Sequence, residues 1–200
     1  MGIDESRVLE RPLPARWRIT ADRYLRMAEA GVLPPELRSE LIDGEIIEMA
    51  AMASPHFAGV ARLDRFAHRA WGDVATIAAQ LPVRLDDYNE PEPDLAVLRS
   101  RADFYAGALP GPSDILLIVE IADSSLAFDL GRKARMYAEA GVPEVWVLDV
   151  QAAVCHVHRG PKPDGKWAQV NLHRPGSGGL APADERLAAV PPDVLFGVRG

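Results

Sequence analysis

The stretch Ile115–Ala122, ILLIVEIA, constrains this chain more than any other: every residue is apolar except one glutamate, Glu120. A strand of that composition has no side for water. It belongs at the centre of a sheet covered on both faces. Glu120 is carried into that interior, where an unpartnered carboxylate is heavily penalised and takes up a proton unless a metal ion or another cation accompanies it.

The flanking sequence supplies the rest of an α/β domain. Apolar runs over 74–83 and 94–98 read as further strands, and EVWVLDV as another. Between ILLIVEIA and EVWVLDV lies DLGRKARMYAEAG, an amphipathic helix closed by Gly141, so the order implies a helical crossover between parallel strands. Upstream, TADRYLRMAEAG predicts a short helix and SELIDGEIIEMA a hairpin turning at Asp43-Gly44. HFAGVARLDRFAHRAW predicts a helix with Phe57, Val60, Ala61, Leu63, Ala67 and Trp71 apolar, and with Arg62, Arg65 and Arg69 on another face. AAVCHVHR and KWAQVNLHR pair as a hairpin across PKPDG. SRADFYAGALPGPS is a surface connection without a catalytic group, and the Gly/Pro-rich tail from Pro175 is weakly patterned. The expectation is one domain over 1–200: a mixed central sheet flanked by helices, with an N-terminal helix and hairpin, a core at about 20–173 and an extension over 174–200.

Charge and cysteine content narrow the class. The 22 Lys and Arg against 29 Asp and Glu leave a formal charge of −7, which argues against a general nucleic-acid coat protein. It does not exclude a nuclease that keeps carboxylates for metal ions and places a few cations where phosphates lie. A single cysteine, Cys155, permits no intrachain disulfide, and MGIDESRVLERP has no apolar signal-like segment. The expected location is cytoplasmic. The longest unbroken aliphatic run covers only 115–119, too short to cross a membrane.

Asp94 follows Pro93 at the entrance of a buried strand; by itself it reads as a salt-bridged or solvated strand end. Beside Glu120 on an adjacent strand it would supply oxygen ligands for a hard cation such as Mg2+. Lys133, thirteen residues after Glu120, would fold back towards both. Arg62, Arg65 and Arg69 suit phosphate oxygens, or form a solvated face pairing with Asp64 and Asp73; Arg132 and Arg135 flank Lys133 and could serve similarly. Ser124 and Ser125 have no accompanying histidine arrangement that would make a nucleophile. His56 reads as a lone structural histidine, and Cys155, His156 and His158 as an ordinary strand rather than a soft-metal site.

The ordered set ELIDGE, SPH, PEPDLAV, VEIADSS, DLGRK and GVPEVWVLD resembles the Uma-two family of bacterial endonucleases, with the PD-(D/E)XK restriction-endonuclease-like fold, over roughly 20–150. The resemblance implies Asp94 and Glu120 as metal ligands, the Ile121 backbone carbonyl as a further one, and Mg2+ or Mn2+ as cofactor. The superfamily lysine would fall at Ala122; Lys133 matches a lysine moved onto the following helix. Glu40, in ELIDGE, matches a family glutamate that adds an acid, and His56 matches a family position. The implied activity is metal-dependent phosphodiester hydrolysis on nucleic acid, with DNA the expected substrate. A noncatalytic nucleic-acid-binding or assembly protein, or a metal-dependent hydrolase of small phosphoesters, are the alternatives. A homodimer is expected by analogy with restriction enzymes and from the exposed strands of the C-terminal hairpin.

Overall fold

A computed structural model of the chain describes residues 16–34, 36–49 and 52–197. Helix α1 (Ala21–Glu29) starts at Thr20, whose Oγ1 accepts the Arg23 N–H. Strands β1 (Ser39–Ile42) and β2 (Glu45–Glu48) follow, joined by Asp43 and Gly44 at φ 52° and 75°. Two successive left-handed residues define the turn that suits a two-residue hairpin, which explains the Asp-Gly pair.

Helix α2 (Ser54–Trp71) leads to a six-stranded sheet. Its strands are β3 (Ala75–Ala78), β4 (Leu95–Arg99), β5 (Ile115–Ala122), β6 (Glu144–Asp149), β7 (Val154–Pro161) and β8 (Trp167–His173), in spatial order β3-β4-β5-β6-β7-β8. Only β5 and β6 pair in parallel; their crossover consists of α3 (Leu126–Phe128), a π-helical turn (Asp129–Lys133) and α4 (Ala134–Glu139), running on without a break. All eight residues of β5 are buried, as its apolar sequence requires. The mixed α/β restriction-endonuclease-like architecture expected from the sequence is present.

Each face of the sheet has its own core. On one, Leu63, Ala67 and Trp71 of α2 pack on Leu117, Val119 and Ile121 of β5 and Trp146 of β6. On the other, Met136 and Tyr137 of α4 and Ile42 of the hairpin pack on Ile118, Val145 and Val147. Helix α2 approaches β5 so closely at Gly59 that a Cβ there would lie 3.0 Å from Ile121 Cγ2.

Two sequence expectations are corrected. Phe57 is 63% exposed and Ala61 is exposed too. The buried ridge of α2 is Gly59, Leu63, Ala67 and Trp71, each four residues apart, and a residue two positions away points about 200° around the helix. The run 74–83 is a strand only at Ala75–Ala78, because Gln80 adopts φ 52° and leaves the ladder. The segment after 173 places Leu180, Leu187, Val190 and Leu195 in the α2-side core; Trp71 Nε1 donates to the Ala188 carbonyl at 3.0 Å. Helix α5 (Pro192–Phe196) lies in this tail.

A chain ending at residue 173 would uncover Trp71 and its neighbours. Calorimetry of that truncation is expected to show a strongly lowered Tm or no cooperative transition.

Candidate active site

The register Leu95↔Val119 between β4 and β5 fixes the site, because Asp94 immediately precedes β4 and Glu120 immediately follows Val119 in β5. Asp94 Oδ2 accepts the Ile121 N–H at 2.8 Å. Asp94 Oδ1 lies 2.8 Å from His56 Nε2, in the first turns of α2, and 3.4 Å from Gln80 Nε2. The chain leaving β3 at Gln80 therefore returns a side chain to the aspartate.

Glu120 is met from the crossover helix. Its Oε1 accepts from Lys133 Nζ at 3.1 Å and from the Tyr137 hydroxyl at 2.7 Å. Lys133 Nζ also lies 3.0 Å from Glu40 Oε2 on β1, an oxygen that accepts the Glu92 N–H at 3.3 Å. The hairpin is held in place by main-chain bonds between Leu41 and Glu90, at 3.2 and 2.8 Å, just upstream of Asp94. Within the π turn, Asp129 and Lys133 are both buried; such turns recur at functional sites. Asp129 accepts from the Ser125 hydroxyl.

Glu40, His56, Gln80, Asp94, Glu120, Asp129 and Lys133 line one cavity of about 280 Å³, along with Arg38, Glu92 and Asp123. Four buried carboxylates, Glu40, Asp94, Glu120 and Asp129, share this cavity with the buried ammonium of Lys133. Burial pushes the Glu120 carboxyl up to about 8; Lys133 pulls it down, while Asp129, Asp94 and Glu40 add to the rise. Burial opposes the charge on Lys133, but Glu120, Glu40 and Asp129 outweigh it and raise its pKa above the ordinary lysine value. Asp129 is raised, first by burial. Burial and the neighbouring Glu120 keep Tyr137 a phenol, fit to donate. The hydrogen bond to Asp94 raises His56 against the opposing effect of burial.

The fold brings Asp94, Glu120, Lys133 and Glu40 to one place. Ile121 touches the group through its N–H; in an extended strand its carbonyl points to the same side. Arg132 does not line the cavity: it is bound to the hairpin through Asp43 Oδ2 (2.9 Å), the Ile42 carbonyl (3.0 Å) and Glu45 Oε2 (2.9 Å). Arg62, Arg65 and Arg69 do not line the cavity; they border a separate concavity beside α5. Among the described residues, no group of three or more His, Cys, Asp and Glu is gathered tightly enough to hold a metal ion, the Cys155–His158 run included.

His56 meets the site through Asp94 Oδ1. Tyr137, Asp129 and Gln80 were not foreseen. Asp129, Lys133 and Tyr137 succeed one another at intervals of four, a spacing that places all three on one side of the crossover helix.

The sheet order, with acids paired across β4 and β5 and a helical crossover behind them, is that of the restriction-endonuclease-like class. The chain belongs to the Uma2 family, described as "Putative restriction endonuclease", whose family model matches residues 21–184. A similar fold occurs in the crystal structure of "a putative nuclease belonging to DUF820" from Anabaena variabilis ATCC 29413. The TM-score is 0.67 at 18% identity, covering 89% of this chain and 97% of that one. No functionally curated protein matches the chain. Among the described residues, no helix is long and apolar enough to cross a membrane.

Two predictions concern the site without a cation. Lys133→Met would leave Glu40 and Glu120 without their buried counter-ion and is expected to cost about 3–5 kcal/mol in urea denaturation. Glu120 has a raised folded-state pKa, so its contribution to stability is complete below the unfolded value and is lost as pH rises through about 8. In chelator, the native Tm should therefore fall more steeply from pH 5 to 8 than that of Glu120→Gln. Parallel Tm curves would contradict this.

Proposed function

We propose that the protein is a divalent-cation-dependent nuclease that hydrolyses phosphodiester bonds in nucleic acid, with DNA as the expected substrate. The observation that carries the reading is the 2.8 Å bond from the Ile121 N–H to Asp94 Oδ2, which sets Asp94 beside Glu120 at the end of the central strands.

The donor set suits Mg2+ or Mn2+. Both side-chain ligands are hard carboxylate oxygens, with the Ile121 carbonyl on the same side, and Mg2+ is commonly held by one or two carboxylates while keeping several waters. The excess of buried carboxylates over ammonium gives a cation an electrostatic reason to bind. When bound, such a cation neutralises a nonbridging phosphate oxygen and lowers the pKa of a water.

The chain's own residues divide the remaining work. Asp94 and Glu120 hold the cation. Lys133 keeps its proton, so it serves as a fixed positive charge rather than a base, restraining Glu120 and Glu40 and stabilising developing negative charge. Tyr137 and Lys133 both bond Glu120 Oε1, which leaves Oε2 for the cation. His56 restrains Asp94 through Oδ1. Glu40 anchors Lys133 from the hairpin.

Calorimetric titration with Mg2+ or Mn2+, alongside cleavage of single- and double-stranded DNA and RNA, tests this assignment. Asp94→Asn and Glu120→Gln are expected to stay folded and to lose cation binding and nearly all cleavage. Undiminished cleavage in either variant would sink the assignment. Tyr137→Phe removes a partner of a ligand rather than a ligand, and is expected to weaken cation affinity by about 10–100-fold.

A further inference from the structure

The arginines of α2 are a basic feature that the cavity leaves unused. Arg62, Arg65 and Arg69 lie on the side of the helix away from the Gly59–Leu63–Ala67–Trp71 ridge, and with Phe66, Asp193 and Val194 they border a concavity of about 400 Å³ between α2 and α5. Arg62 is fixed there, its Nε donating to the Val194 carbonyl at 3.2 Å. Arg65 and Arg69 are exposed.

The neutral alternative for this face was pairing with nearby acids, and it does not occur. Asp64 instead pairs with His68 at 3.1 Å. Among the described residues, none of the three arginines forms an ion pair, and Arg62 bonds only a main-chain carbonyl. Like charges at these helical spacings repel each other, so the face is better suited to an external anion than to itself. Asp193 is the one acid among the described residues that borders the same concavity.

We propose that this face of α2 binds the phosphate backbone of nucleic acid at a distance from the scissile bond. The proposal deepens the nuclease reading and rests on it. Helix α2 itself sets the scale: His56 lines the catalytic cavity, and Arg62 and Arg69 lie about 9 and 20 Å further along the axis at 1.5 Å per residue. At about 3.4 Å per nucleotide along one strand, the arginines meet phosphates roughly three to six nucleotides from the bond to be cut. Guanidiniums grip such oxygens in pairs without regard to base, so the surface adds affinity and register rather than sequence preference.

The test is fluorescence anisotropy with a labelled 20-base-pair DNA duplex in EDTA, between 50 and 200 mM NaCl, on the native chain and on Arg65→Ala/Arg69→Ala. Chelation separates this readout from hydrolysis, on which the nuclease reading stands. With two phosphate contacts removed, the slope of log affinity against log salt should become shallower by about 1.8, with roughly tenfold or greater weakening at 50 mM. Arg65→Lys/Arg69→Lys, which keeps the charges, should retain most of the native slope. An Ala/Ala variant that binds with native slope and affinity would overturn the proposal, as would a native chain that does not bind the duplex at 50 mM.

Discussion

The hydrogen bond between the Ile121 N–H and the Asp94 carboxylate joins the architecture to the chemistry. Strand β4 begins one residue too late for Asp94 to belong to the ladder, so its side chain takes the position a backbone acceptor would occupy and satisfies the N–H of the residue after Glu120. The same bond that completes the end of the central strand therefore delivers one acid beside another. Proline at 93 suits this place because the strand has not yet started and no ladder bond is lost.

Two acids side by side at the edge of a dry core would destabilise the fold if left alone. Lys133 offsets part of that cost by lying between Glu120 and Glu40, and Tyr137 contributes a neutral donor to the same glutamate oxygen. The compensation is incomplete, as the upward displacement of the Glu120 and Asp129 carboxyls indicates. A buried cluster that retains excess negative charge is a poor stabilising device, which is the trade expected where function and stability compete. The hairpin takes part through Glu40, while Arg132 and Arg135 secure it to the crossover helix by bonding Asp43.

Helix α2 serves two purposes on different sides. Its ridge from Gly59 to Trp71 covers the sheet, with Gly59 permitting the close approach to Ile121, and its first turns present His56 to Asp94. The outward arginines contribute nothing to that packing beyond the Arg62 bond to the tail. The tail itself completes the core on the α2 side, so the residues past 173 are structural in spite of a sequence with little periodicity.

The sequence by itself determined the central strand, the crossover and the hairpin, because these are written in short-range patterns: an unbroken apolar run, a helical repeat closed by Gly141, and Asp-Gly at a turn. Asp94, Glu120 and Lys133 were legible for a related reason, since a carboxylate inside ILLIVEIA demands a partner wherever the chain finds one, whereas Glu40 came from the family resemblance and Asp129 was not read at all. Which partner it finds is a matter of distance in space. Tyr137 and Gln80 meet Glu120 and Asp94 only once the crossover and the β3 exit have folded back, and Arg132 turns to Asp43 because the hairpin lies within its reach. The burial of Leu180, Leu187, Val190 and Leu195 was likewise decided by the tertiary structure, because a segment without local periodicity shows its apolar side only against the surface it covers.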